Sequence, residues 1–238
     1  MPAPKTIFPD DIFLVSYPKS GNTWMRFHLA VLVHNRKCSW RNIHTVTPDI
    51  YLTTEKKLLN IPRPRIIKSH EGYNSRYPKV IYIVRDVRDV VISFFYYQKK
   101  EGQFPHDFNA FFHAFLNGEI WPSGWDAHVK GWLANCNRVP NGFLLLRYED
   151  LRRDIKGETR RILQFLQIEK KAKEIDEACQ WSSFDHVKDM ERREHPSHKI
   201  PFLRDGKEGQ WISALSFEQK QQMNRKYGDL LVQLGDTV

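Results

Sequence analysis

The segment FLVSYPKSGNTWMRFHLAVLV carries a lysine, a glycine and two hydroxyls within five positions, between an apolar run and an amphipathic one. As a strand, a tight turn and a helix, it points successive backbone N–H groups into one concavity at the positive end of the helix dipole. Gly21 lets the backbone approach an anion closely, Lys19 brings a mobile positive charge, and Thr23 offers a hydroxyl at the helix start. This composition suits a 5′-phosphate or a diphosphate. It departs from the Walker A loop GxxxxGK[ST], because the first glycine is absent and Lys19 precedes Gly21. A metal-binding aspartate at a strand end is also missing: VIYIVRD ends in Asp86, but the adjacent Arg85 disfavours Mg²⁺. The same residues fit an ordinary strand-to-helix turn with a capped helix.

Three further segments carry chemistry of a related kind. IIKSH ends a second apolar run, so Lys68 and His70 lie at a strand's C-terminal end, where open α/β sheets bind ligands. Two residues apart on an extended chain, they share a side. His70 has the range of a general base at neutral pH, and Lys68 can neutralise a developing anion. In a chain with 10 histidines, packing or surface use accounts for most of them. YIVRDVRDVVISFF runs from strand into helix, with Arg85 at the strand end and Ser93 about two helical turns on. Both can donate to one anion if that helix passes the turn; Arg88 and Asp89 look like a solvated helix face. Last, FLRDGKEGQW puts Phe202, Leu203, Arg204, Gly206 and Gly209 in a basic loop, an anion clamp or simply a flexible connection.

The elements that must position these residues follow from hydrophobic patterning. Near-continuous apolar runs at Ile12–Tyr17, Arg65–Lys68, Val80–Val84 and Phe143–Leu146 predict strands covered on both faces, as in a parallel sheet. Helices are predicted over Thr23–His34, Val87–Lys99, Phe108–Leu116 and Trp125–Asn135, and later around Glu158–Leu166, Lys171–Cys179 and Phe217–Leu234. Alternating strands and helices imply an α/β domain with right-handed crossovers. Thr45–Pro64, broken by prolines, and Met190–Gly209, rich in charge, read as irregular. Loops beyond about 12–15 residues are uncommon unless functional or disordered, so segments covering a ligand belong there.

The bulk numbers agree with a globular protein. The chain has 238 residues, 41% hydrophobic and 27% charged, with net charge +9. The positive balance favours an anionic partner: nucleic acid, a membrane surface or a polyphosphate-like cofactor. Cys38, Cys136 and Cys179 are sparse and without metal-ligand spacing, which fits a reducing compartment. The opening MPAPKTIFPDD has no long apolar run, and no later stretch nears the roughly 18 apolar residues of a membrane span. The expectation is a soluble, cytoplasmic protein.

In their order and spacing, these segments resemble the cytosolic-type sulfotransferases, which move a sulfuryl group from 3′-phosphoadenosine 5′-phosphosulfate (PAPS) to a hydroxyl or amine. YPKSGNTW is similar to that family's 5′-phosphosulfate loop, IIKSH to the segment of its catalytic base, YIVRDVRDVVISFF to its 3′-phosphate segment, and RDGKEGQW to its RxGxxGxW signature. FLNGEIWPSGWDAHVKGW and LLRYEDL match as well. The resemblance implies a single sulfotransferase domain over 1–238, with a three-layer, P-loop-like α/β fold and a central parallel sheet flanked by helices. It implies that Lys19, Ser20, Gly21, Asn22, Thr23 and Trp24 hold the 5′-phosphosulfate, with Trp24 also near the adenine. Arg85 and Ser93 would bind the 3′-phosphate, joined by Arg204, the backbone around Gly206, and the adjoining Phe202 and Leu203. Tyr148 would face the adenine, with Ser182 and Phe184 beside it. His70 would be the base, and Lys19 and Lys68 would stabilise the bridging oxygen. The product nucleotide would be 3′-phosphoadenosine 5′-phosphate (PAP), with no metal required.

Departures from the family pattern bear on the partners. Asn22 stands where the animal enzymes mostly have threonine, and Asp205 where they usually have a second cation. ISALSFEQKQQ after Trp211 lacks the family's short dimer motif, which leaves monomer and dimer both open. Shortening in Arg36–Pro64 and Met190–Pro201 implies a more open pocket or one completed by a partner. Phe94, Phe95, Tyr96 and Tyr97 either line an apolar acceptor pocket or pack helix against sheet. The expected partner is a small-molecule acceptor, without nucleic acid or membrane. Two alternatives differ in class: a P-loop kinase or NTPase, which needs a metal-holding carboxylate, and a non-enzymatic binder of nucleic acid or an anionic polymer, which lacks a recognised motif here.

Overall fold

The computed structural model describes residues 4–102, 107–197 and 200–237. Four apolar runs form strands β1 (Ile12–Ser16), β2 (Ile66–Ser69), β3 (Lys79–Val84) and β4 (Phe143–Arg147). They pair in parallel in the order β2-β1-β3-β4. The register sets Val15 against Ser69 and Ser16 against Ile83, so the C-terminal ends of β2, β1 and β3 finish side by side.

Eleven α-helices surround the sheet among the described residues: α1 (Asn22–His34), α2 (Glu55–Leu59), α3 (Val87–Glu101), α4 (Phe108–Leu116), α5 (Trp125–Ala134), α6 (Tyr148–Arg153), α7 (Ile155–Leu166), α8 (Ala172–Trp181), α9 (Phe184–Glu194), α10 (Trp211–Ala214) and α11 (Phe217–Gln233). Strand alternation divides the core into two layers. Phe13, Val15, Val80 and Tyr82 face the helices α3, α4, α5 and α11. Leu14, Ile81 and Ile83 face α1, α7, α8 and α9. Each such fully buried aliphatic side chain contributes about 1.5–3 kcal/mol. The result is the three-layer α/β arrangement that continuous apolar strands require.

The differences from expectation lie where charge masks packing. Arg65 precedes β2 and is wholly buried, its guanidinium bidentate on Asp11 (2.7 and 2.5 Å). Arg88 and Asp89 are not a solvated face: both are buried. Arg88 chelates Asp86, donates to the Thr237 carbonyl (2.7 Å) and lies 3.8 Å over the Trp211 ring, while Asp89 accepts from the Gly209 and Trp211 N–H groups (2.8 and 3.1 Å). Helix α9 takes up the start of Met190–Gly209; its buried side is only Phe184, Val187, Met190 and Glu191, too thin an apolar stripe to announce a helix. His198 and Lys199 of that stretch, and residues 1–3 of the opening segment, lie outside the described residues. Helix α2 and a strand-like bridge between Asp49 and Lys68 occupy part of Thr45–Pro64. No described helix is long and apolar enough to cross a membrane.

Candidate functional site

A cleft of about 560 Å³ opens at the C-terminal ends of β1, β2 and β3. The turn between β1 and α1 forms its floor, with Lys19 and Gly21 both at positive φ (68° and 97°). Gly21 is required there: a Cβ would come within 2.7 Å of the Tyr148 ring. Inside the turn the Ser20 hydroxyl is buried without a partner. Lys19 Nζ sits 3.7 Å from the Phe202 ring centroid and 4.6 Å from that of Tyr97, at the edge of hydrogen-bonding range (3.5 Å) from the Phe202 carbonyl. Burial, with repulsion from Arg85 and Lys100, pushes its ammonium down to about 7.

The C-terminal loop closes over this floor. Arg85 joins the two, donating to the Lys19 carbonyl (3.2 Å) and the Lys207 carbonyl (3.0 Å), with its guanidinium 4.2 Å from the Tyr148 ring centroid. The Tyr148 hydroxyl donates to the Gly206 carbonyl (2.9 Å). Gly206 (φ 68°) presses on Phe184, whose Cζ lies 2.3 Å from where a Cβ would stand. Trp24 meets Tyr148 and Phe184 edge-on at 6.1 and 5.8 Å and donates from its indole to the Ser182 carbonyl (2.7 Å). Nε of Arg85 and Nε of Arg204 are buried without partners beside the cleft. These orphaned donors, with Lys19, fit a ligand bearing two separated anionic groups.

At the other end stands His70. Its Nδ1 is 2.7 Å from the Ser16 carbonyl, which can only accept, so in the neutral ring the proton is on Nδ1 and Nε2 carries the lone pair. Burial, then the charge of Lys68, holds the imidazolium well below its ordinary pKa. The His70 backbone is pinned on both sides: its N–H donates to the Tyr51 hydroxyl (3.0 Å), and its carbonyl accepts from His128 Nε2 (3.1 Å). Tyr51 and Trp121 flank the ring at 6.2 and 5.9 Å. Lys68 Nζ pairs with Asp49 Oδ2 at 2.5 Å.

Lys19, Gly21, Asn22, Thr23, Trp24, Lys68, His70, Arg85, Ser93, Tyr148, Phe184, Phe202, Leu203, Arg204 and Gly206 all line this one cleft. Ser20 and Ser182 do not; both are buried, and the Ser182 hydroxyl is taken by the Ala178 carbonyl and His28 Nδ1 (both 2.7 Å). The Asn22 amide points inward, donating to the Leu14 carbonyl (3.0 Å) and Ser16 Oγ (3.2 Å). Phe94 and Tyr97 face the cleft, whereas Phe95 is core and Tyr96 is at the surface. Sequence reasoning missed Asp49, Tyr51, Trp121 and His128 as individual residues. Asp49 and Tyr51 sit in a stretch without periodicity, and the other two sit in a segment set apart only by resemblance. It also missed Glu191, whose carboxylate accepts from the Phe202 and Leu203 N–H groups (2.5 and 2.9 Å).

A family model described as the sulfotransferase domain matches residues 9–235. Sulfotransferase 2B1 of Mus musculus is 30% identical over 239 residues, covering 92% of this chain and 70% of that protein. Amine sulfotransferase of Oryctolagus cuniculus is 27% identical, covering 91% of this chain and 79% of that protein. Among solved structures, mouse sulfotransferase SULT7A1 complexed with PAP superposes with a TM-score of 0.76 at 27% identity, over 94% of this chain and 84% of that one.

Proposed function

The chain belongs to the sulfotransferase domain family and is a sulfotransferase; on that premise we propose that it transfers the sulfuryl group of PAPS to a hydroxyl or amine of a small-molecule acceptor. The observation that carries the reading is the single cleft holding a buried, tautomer-fixed histidine at one end and the orphaned anion donors at the other. The PAP complex of the mouse relative supports the same nucleotide here.

In this reading the N–H groups of the turn, with Lys19, cradle the 5′-phosphosulfate. Arg85, Ser93 and Arg204 hold the 3′-phosphate, and Trp24, Tyr148 and Phe184 border the adenine. The acceptor's O–H or N–H proton passes to His70 Nε2 as the new bond to sulfur forms in line. The bond from sulfur to the 5′-phosphate oxygen breaks, its electron pair stays on that oxygen, and Lys19 and Lys68 offset the charge gathering there. Positioning and electrostatics supply most of the acceleration in such a transfer. All cations required are side chains of this protein, so chelation with EDTA should leave turnover unchanged; a rate restored only by added Mg²⁺ would contradict the metal-free chemistry. The unpaired cysteines fit a reducing, cytoplasmic setting. Transfer from labelled PAPS to a panel of phenols, alcohols and amines tests the reaction, together with thermal stabilisation by PAP. No stabilisation and no transfer would refute it.

A further inference from the structure

Asp49 is a carboxylate inside the cleft, and the proposed transfer gives it no role. It is not a surface charge that has drifted inward. Pro48–Ile50 runs alongside β2: the Lys68 N–H donates to the Pro48 carbonyl (2.8 Å) and the Ile50 N–H to the Lys68 carbonyl (3.2 Å). That main-chain bridge puts Asp49 opposite Lys68. One carboxylate oxygen accepts from the Tyr51 N–H (3.0 Å), which turns the other onto Lys68 Nζ at 2.5 Å. Both side chains are nearly inaccessible, 5% exposed for Asp49 and 11% for Lys68. Breaking such a pair by removing one partner leaves an uncompensated buried charge.

We infer that Asp49 is a positioning residue for the transfer step, holding the Lys68 ammonium charged and aimed so that its two remaining N–H groups serve the cleft. The inference rests on the proposed role of Lys68. The groups facing Lys68 give Asp49 this task alone. Arg26 from α1 is a second buried cation close by, fixed on the Thr47 carbonyl (2.9 and 2.6 Å) and near His44 (3.2 Å). Lys19 lies in the turn, His70 follows on the same strand end, and Tyr51 presents its ring 5.9 Å away. Burial and Arg26 oppose the charge on Lys68; among these neighbours Asp49 supports it. Lys19 instead lies against two aromatic rings and a carbonyl, with the charge of Glu191 in its favour, and a bound anion would add to that support. Of the two lysines in the cleft, Lys68 thus has a carboxylate in direct contact, whereas Lys19 rests on aromatic rings and a carbonyl.

The test is the pH dependence of kcat for Asp49→Asn and Asp49→Glu, with PAP affinity and melting temperature measured on each. Without the carboxylate, Lys68 loses its proton at lower pH. The alkaline limb of the Asp49→Asn profile should therefore move inward, with kcat falling about tenfold per pH unit beyond it, while the acid limb set by His70 moves outward, to lower pH, because the Asp49 carboxylate also favours the imidazolium. Asp49→Glu should restore much of the alkaline activity. A uniform loss of kcat at every pH, or a profile superimposable on that of the wild type while Lys68→Ala is inactive, would overturn the inference and leave the transfer reading intact. A Lys68→Ala enzyme with near wild-type turnover would overturn the role of Lys68 and this inference together.

Discussion

The Ser16 carbonyl fixes which nitrogen of His70 can take a proton, and burial keeps the ring neutral well into mildly acidic conditions. His70→Ala should lower kcat by about 10²- to 10⁴-fold, the usual span for a placed general base, and leave PAP affinity within about twofold. Steady-state kinetics and calorimetry read the two separately, and a near-normal kcat would remove His70 from the role. Lys19 makes a different prediction. Its ammonium sits near pH 7 in the free protein, and a bound phosphate would raise that value, so binding takes up a proton. Above about pH 7 the nucleotide's own phosphates are ionised, and PAP affinity should fall with rising pH, by at most about tenfold per unit. Titrations in buffers of different ionisation enthalpy would register the uptake. Lys19→Arg, always charged, should flatten the dependence; unchanged proton uptake in that variant would assign it elsewhere.

At the scale of elements, the C-terminal loop is held by carboxylates from two helices: Glu191 of α9 under Phe202 and Leu203, and Asp89 of α3 under Gly209 and Trp211. Glu191→Ala leaves two N–H groups without their acceptor, a loss of about 1–3 kcal/mol for each that stays buried. Faster hydrogen exchange at Phe202 and Leu203 should accompany weaker PAP binding, and unchanged exchange would free the loop from this anchor. These supports also mark the limit of legibility. The strands and the turn were legible because continuous apolar runs and a Lys-Ser-Gly-Asn-Thr turn are local signals. Nothing local distinguishes Glu191 among the charges of α9, or Asp89 beside Arg88, because the N–H groups they accept from belong to a loop 11 and 12 positions away for Glu191 and 120 and 122 positions away for Asp89, and the ring over Arg88 is Trp211 of that same loop's end. Asp49 was hidden for a similar reason: its partner comes from a strand that follows 19 positions later.

Over the whole molecule, the two sheet faces bury separate layers while the chemistry collects at one edge, where strand ends meet helix starts. Ligand binding should therefore register as global stability: PAP at about 100 times its Kd should add about 2.7 kcal/mol to unfolding, seen as a rise of a few degrees in the melting temperature. No rise at saturating PAP would argue against the cleft as its site. The pairing of β1 with β2 has a longer reach. Because Val15 stands opposite Ser69, the phosphate turn and His70 leave adjacent rungs of one ladder, and their separation is set by hydrogen bonds between strands. It is independent of how many residues join the end of α1 to β2. That connection also supplies Leu52 and Tyr51 to the cleft, Tyr51 beside His70, where the proposed transfer would seat the acceptor. Insertions or deletions outside the Pro48–Ile50 bridge can therefore rebuild the acceptor wall while donor turn and base keep their spacing, so selection can change what is sulfated without disturbing how.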